Sequence, residues 1–436
     1  MLSSRLPKDL SPSPFFAELE RAKAEVLAEC ANAGGRVGNA GGLPFIDMTV
    51  SSPVRAGLPI DLDAAVEDAR KDFGCWNPDA AGWKSAREAV VEYYHERGGN
   101  FDAGQIILTA STSEAYSVLF KAFCDPGDII LTPMPGYPLL DTLAQLEHLE
   151  CAPYFLKLKR EKPSVMAASE PPSGRLNGTH DFRFVLDSDS LLAAPEKAKI
   201  LLLVSPHNPT GHCISREEWN ETVRFCEENH LILVVDEVFG DYAFTDKVKH
   251  TWEYGSYRVG DASLQDDACD NGPKCPIFWL NGLSKAVGSP QLKLGWMAFY
   301  APEEQFEPIR AALEFVEDAY LSVSAPAQAL GTSLLKQSAA YEARVKERLL
   351  QNWQTLREAF PAKYCPEVLG GWYAVIRLGE DDEELTLRLL REKHVLVQPG
   401  FFFDFDEDGW VVVSLLQEPS LFKEAVERFL YITREN

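Results

Sequence analysis

The chain has 436 residues, 46% of them apolar and 25% charged, which suits a soluble globular protein with a large core and two lobes. Its net charge of −24, from 42 basic against 66 acidic residues, argues against nucleic acid or an anionic membrane as the main partner. No apolar run reaches the ~18–20 residues of a membrane span, and the start at Met1 to Asp9 predicts no secretory leader.

Residues 13–31 read as an amphipathic helix through Phe15, Phe16, Leu19, Ala22, Val26 and Leu27, followed by Gly- and Pro-rich chain to about residue 60. From about residue 63, strands and helices alternate. Ile106 opens a short strand, and Glu114–Phe123 reads as a helix. Near-continuous apolar runs begin at Asp128, Lys199, Leu231 and Ile277, the pattern of strands buried on both faces in a mostly parallel, helix-covered sheet. Ser215 and Glu218 form a capping box that opens a helix running to about His230. Leu294–Tyr300 offers a further strand. Two polar stretches, about 160–190 and 246–275, read as surface insertions. A long helical pattern then runs from Ala325 to about Phe360. Strand Trp372–Leu378, helix Glu383–Lys393, strand Trp410–Leu415 and a helix from Pro419 complete an α+β lobe. The nine cysteines show no CxxC spacing and read as free thiols of a reducing cytosol. The eight histidines form no HxxxH or HExxH pair, so no metal site is expected.

Ligands of a parallel α/β sheet sit past the carboxyl ends of its strands, and the chemically marked residues fall there. Lys285 follows the strand from Ile277, with Ser284 beside it. Asp236 ends Leu-Ile-Leu-Val-Val. Asn208 opens Asn208-Pro-Thr-Gly211 after the strand from Lys199. Ser111, Thr112 and Ser113 join a strand to a helix, and Tyr137 lies in the loop Pro133-Met-Pro-Gly-Tyr137-Pro138. Each alone has an ordinary reading: a surface lysine, a loop ion pair, a turn, an N-cap, a core aromatic. Together, in this order, they are what a pyridoxal phosphate (PLP) enzyme needs. It requires a lysine amine for a Schiff base, a carboxylate for the pyridinium proton, an amide for the ring oxygen and a helix start for the phosphate.

The chain resembles the fold type I PLP enzymes, specifically the class I/II aminotransferases, from about residue 40 to 430. The resemblance rests on Gly82 with Ala-Arg87-Glu-Ala, Leu108-Thr-Ala-Ser-Thr-Ser-Glu-Ala115, Pro126-Gly-Asp128, Pro135-Gly-Tyr-Pro138, Asn208-Pro-Thr-Gly211, Asp236-Glu237 and Leu283-Ser-Lys285. It implies a three-layer α/β/α large domain at 63–322, a small α+β domain at 323–436, and an N-terminal segment, 1–62, joining the small domain. It implies that Lys285 carries the Schiff base and shuttles the proton, Asp236 faces the pyridine nitrogen, Asn208 binds the ring hydroxyl and Tyr137 stacks on the ring. Ser111, Thr112, Ser113 and Ser284 would hold the phosphate. The implied reaction moves an amino group between an amino acid and a 2-oxo acid, in a cytoplasmic homodimer.

Four positions depart from the family pattern. Phe239 stands where a tyrosine usually bonds the ring oxygen, and Lys293 where an arginine usually clamps the phosphate. Trp76 replaces the tyrosine that reaches the neighbouring subunit's phosphate. Val412 stands where an arginine holds the substrate α-carboxylate, so Arg377 is the expected replacement. Two rival readings use the same residues. One is an elimination enzyme resembling carbon–sulfur lyases or aminocyclopropane carboxylate synthase. The other is a PLP-binding regulator without turnover.

Overall fold

The structure is a computed structural model that describes residues 3–32, 43–160, 182–255, 257, 272–379 and 381–434. Among these residues the strands, in chain order, are β1 (Ile46–Asp47), β2 (Ile106–Thr109), β3 (Ile129–Met134), β4 (Glu150–Arg160), β5 (Phe182–Leu186), β6 (Ala198–Val204) and β7 (Ile232–Asp236). They continue with β8 (Ile277–Gly282), β9 (Gly295–Tyr300), β10 (Tyr373–Arg377), β11 (Val395–Leu396), β12 (Gln398–Pro399) and β13 (Trp410–Ser414).

The large sheet has the order β2-β9-β8-β7-β6-β3-β4-β5. Neighbours β8/β7, β7/β6, β6/β3 and β3/β4 pair parallel, while β9 and β5 pair antiparallel with their neighbours. Alternate residues of each central strand pack against opposite layers. Ile107, Ile130, Ile200, Leu202, Val234, Phe278 and Met297 meet the helices Thr112–Phe123 and Glu303–Asp318 on one side. Leu108, Leu131, Leu201, Leu233, Trp279 and Trp296 fill the core on the other. Burial on both faces is why these strands read as unbroken apolar runs. Chain order reverses between β3 and β6, the switch point at which such a sheet opens a crevice.

A second sheet, β10-β13-β12, is antiparallel, and β1 pairs with β11. The helix Pro14–Asn32 lays Phe15, Leu19, Ala22 and Val26 against Leu390 and Leu396 of this region. The N-terminal segment is thus fastened to the C-terminal one. The Ser215–Glu218 capping box forms as expected: Ser215 Oγ accepts from Glu218 N at 3.2 Å, and Glu218 Oε2 accepts from Ser215 N at 2.8 Å.

Several expectations need correction. The pattern from Ala325 to Phe360 is two helices, Ala325–Leu334 and Ser338–Ala359, separated by a tight turn at Leu335–Gln337. The supposed insertion at 160–190 contains β5, which pairs with β4 through Phe184 opposite Leu158; residues 161–181 lie outside the described residues. In the stretch 246–275, Thr251–Tyr254 forms a short helix with Trp252 buried. Residues 256 and 258–271 also lie outside the described residues. The helix Glu303–Asp318, absent from the sequence reading, covers the sheet between β9 and the C-terminal region. Among the described residues no helix is long and apolar enough to cross a membrane.

Candidate active site

Lys285 sits in the short helix Leu283–Ala286 that immediately follows β8. Its Nζ lies 3.5 Å from the Ser51 carbonyl oxygen, 4.5 Å from the centre of the Trp372 ring and 5.3 Å from that of Phe239. The Tyr242 hydroxyl donates to the Lys285 carbonyl at 2.6 Å. Burial lowers the amine's pKa to about 8, against the opposing pull of the Asp236 charge. A lysine so placed is a usable nucleophile near neutral pH.

Asp236 ends β7. Its Oδ2 accepts from the Tyr116 hydroxyl at 2.8 Å and its Oδ1 from the Val238 amide at 3.0 Å. Burial pushes its pKa up, while these two donors and Lys285 pull it back. A half-buried carboxylate in that balance is stabilised by any further cationic N–H that reaches it. Behind it, Glu237 accepts from Thr251 N at 2.7 Å, Thr251 Oγ1 at 2.6 Å and His250 Nδ1 at 3.0 Å. Asp241 accepts from Arg97 at 2.8 Å and Tyr93 at 2.7 Å. Two buried acids are thereby held by named donors, and the β7 end is stiff.

Asn208 lies beyond β6, and its side-chain Oδ1 is buried without a hydrogen-bond partner. Gly211 closes the same turn at φ +70°, and a Cβ there would sit 2.5 Å from Val368 Cγ1. Leu369 N donates to Gly211 O at 2.9 Å, which ties this turn to the strand leading into β10.

Ser111 caps the helix Thr112–Phe123, its Oγ accepting from Glu114 N at 3.2 Å. The Thr112 and Ser113 amides occupy the first helical turn, where no intrahelical acceptor exists, so they face outward as an anion-binding pair. Gly295 of β9 backs this turn. A Cβ on it would lie 3.0 Å from Ser111 C and 3.1 Å from Thr112 N, so only glycine lets the helix start approach the sheet so closely. Ser284 is half-buried beside Lys285. Tyr137, on the loop after β3, is about half exposed, and burial together with the Asp236 charge raises its hydroxyl pKa.

The loops after β2, β3, β6, β7 and β8 therefore bring Ser111–Ser113, Tyr137, Asn208, Asp236 and Lys285 to the carboxyl ends of the parallel strands, around the switch point. Three expected residues stand apart. Lys293 is exposed at a left-handed position, φ 54°. Trp76 is 81% exposed, at a cleft shared with Trp83, Glu317 and Gln328. Arg377 is ion-paired with Glu407, its guanidinium 5.6 Å from the Trp410 ring, at the end of β10 remote from Tyr373. Sequence reading missed Tyr116, Trp372 and Tyr242. The first is hidden in a helical apolar stripe, and the other two resemble core aromatics.

The sequence matches the profile of aminotransferase class I and II over residues 69–429, more than four-fifths of its length. The chain belongs to the class I and II aminotransferase family. It is 28% identical over 342 residues to the alanine aminotransferase of Mycobacterium tuberculosis, covering 75% of this chain and 71% of that one. It is 23% identical to the glutamate–pyruvate aminotransferase of Haemophilus influenzae, with 80% of each covered. In fold it is similar to the alanine aminotransferase of Pyrococcus furiosus, at TM-score 0.73 and 22% identity, covering 98% and 100% of the two chains. It is also similar to the aspartate aminotransferase of Thermotoga maritima, at TM-score 0.74 and 20% identity, covering 99% and 100%. The family uses PLP, and this aminotransferase fold offers residues that fit it. Asn208 is a half-buried amide whose nitrogen can donate to a ring oxygen, Asp236 is a half-buried acid with the Lys285 charge beside it, and Gly295 keeps the Ser111–Ser113 cradle clear.

Proposed function

We propose that this enzyme is a PLP-dependent aminotransferase that moves an amino group between an amino acid and a 2-oxo acid, with Lys285 as the covalent anchor and proton carrier. The observation that carries this reading is one pairing: a half-buried lysine with its pKa lowered to about 8, beside a half-buried carboxylate, at the ends of adjacent strands β8 and β7. When bound, PLP supplies an electron sink that makes the donor's Cα–H acidic. The protein's own residues do the rest. Asp236, fixed by Tyr116 and Val238, keeps negative charge opposite the pyridine nitrogen. Asn208 donates to the ring oxygen alone, since Phe239 has no hydroxyl. Ser111, Thr112, Ser113 and Ser284 bind the phosphate, with Lys293 adding long-range positive charge. Tyr137 covers one face of the ring. Lys285 would hold the group covalently and would take and give back a proton at the donor's Cα, a transfer eased by an amine poised near neutral pH.

This reading extends to a cytosolic homodimer. The free thiols among the described residues support a reducing compartment. The exposed Trp76 ring supports a subunit contact.

The test is a visible spectrum of the PLP-treated protein, with and without amino acids, beside Lys285→Ala. A yellow band that converts to a pyridoxamine-like spectrum with particular donors supports transamination. Pyruvate and ammonia formed without an added oxo acid would replace it by elimination. A chain that takes up no PLP would end the proposal.

A further inference from the structure

The side of the site built from the small sheet is aromatic and apolar. Tyr373, Val375 and Arg377 of β10 lie opposite Ser414, Val412 and Trp410 of β13. Residues directly opposite in an antiparallel pair share a face, so these six form one surface. Its Tyr373 end adjoins the site, with the Tyr373 ring centre 6.0 Å from that of Phe239. Next along, Val375 and Val412 are fully buried and back this ring as core. The Ser414 hydroxyl is spent on Val50 O, to which it donates at 2.6 Å. Over Lys285 stand the rings of Trp372 and Phe239, themselves 5.4 Å apart.

Aromatic faces carry partial negative charge. They hold an ammonium and repel a carboxylate. An anion pressed against this wall would lose water without gaining a partner, a loss that grows with burial. Three described guanidinium groups around the surface are engaged elsewhere. Arg377 pairs with Glu407 at a point roughly 13 Å from Tyr373 by strand rise. Arg348 donates to the Ala56 and Leu416 carbonyls, and Arg344 to that of Pro59. Arg55, exposed on the turn that follows Ser51, is a further described arginine of this neighbourhood and enters the test directly.

We propose that this site selects its amino donor by apolar and aromatic contact and not by the charge of an α-carboxylate. Amines whose α-substituent is neutral, an amide, ester, alkyl or aryl group, are then accepted at least as well as the free amino acid. The inference rests on the PLP-dependent reading above and narrows its substrate class.

The experiment titrates the PLP-loaded full-length chain with matched donors: L-phenylalanine, L-phenylalaninamide and 2-phenylethylamine, each corrected for its free-amine fraction. Half-saturation is read from the cofactor band and independently from tryptophan fluorescence, to which Trp372 contributes. The expected result is half-saturation by the neutral donors at equal or lower concentration than by the free acid. A preference of about tenfold or more for the free acid would overturn the inference. Arg377→Ala and Arg55→Ala should leave the acid-to-amide ratio unchanged. A selective loss of the acid in either variant would reveal a carboxylate clamp and overturn it equally. A chain that takes up no PLP overturns the enzyme reading and this inference with it. A loaded chain that prefers carboxylates overturns this inference alone.

Discussion

Two walls face each other across Lys285, and they are built on opposite principles. On the large-sheet side the strand-end acids have fixed partners: Asp236 with Tyr116, Glu237 with Thr251 and His250, Asp241 with Arg97. On the small-sheet side stand rings: Trp372 against the Lys285 amine, and Tyr373 reached through Phe239. The difference teaches where specificity resides. Fixed polar groups suit one invariant partner, a cofactor, because a displaced buried charge is costly. Apolar surface tolerates variation in what touches it, since adding or removing one methylene changes binding by only about 1–3 kcal/mol.

The contrast can be broken from either side. Lys285→Ala should have the largest effect, lowering turnover by at least roughly four orders of magnitude and abolishing covalent cofactor attachment. Single-turnover kinetics and the visible spectrum check this. Trp372→Ala empties the apolar wall. It should cost about 3–5 kcal/mol of folding stability by the cavity it leaves, as measured by denaturant unfolding. The same variant admits water to Lys285 and should move the amine's pKa up toward its ordinary value. Asp236→Asn keeps the shape of the polar wall and removes its charge. A loss of roughly 100- to 1000-fold in kcat is expected, with secondary structure intact by circular dichroism.

A pH titration sharpens the comparison, because Lys285 belongs to both walls. Its amine attacks only when neutral, and its pKa is lowered to about 8. The rate at which cofactor-free protein takes up PLP should therefore rise about tenfold per pH unit below 8 and level off above it. A rate still climbing at pH 10 would show that the lysine is not desolvated. Tyr116→Phe should have the smallest effect. It removes one donor to Asp236, so the carboxyl pKa should rise further, and kcat should fall by about five- to tenfold, the worth of about 1 kcal/mol. Near-wild-type stability would separate this positioning role from a structural one.

The legible part of the site is the part that sits where a buried strand stops. Asp236 and Lys285 follow unbroken apolar runs, so the change from hydrocarbon to charge is abrupt in sequence. Asn208 and Ser111–Ser113 are marked by turn and cap chemistry. Tyr116 is not marked, because a residue one turn into a helix with an apolar stripe looks the same whether its hydroxyl meets Asp236 or water. The fate of Arg377 was equally hidden. Its partner Glu407 lies 30 positions away, brought close only by the β10–β13 register. Of the fold, the parallel strands were plain from two-sided burial. β5 was not, since Phe182-Arg-Phe-Val-Leu186 is short and borders a polar stretch. The break at Leu335–Gln337 carries no proline or glycine to announce it.

Residues 46–51 join the far ends of the chain. Ile46 and Asp47 pair with β11, Met48 O accepts from Ser414 N at 2.7 Å, Val50 O accepts from the Ser414 hydroxyl, and Ser51 O meets the Lys285 amine. During synthesis this early segment must wait for some 350 later residues before it has anything to hold. A nascent chain halted before β11 would already contain every proposed cofactor ligand, yet its Ser51 would have no anchor beside Lys285.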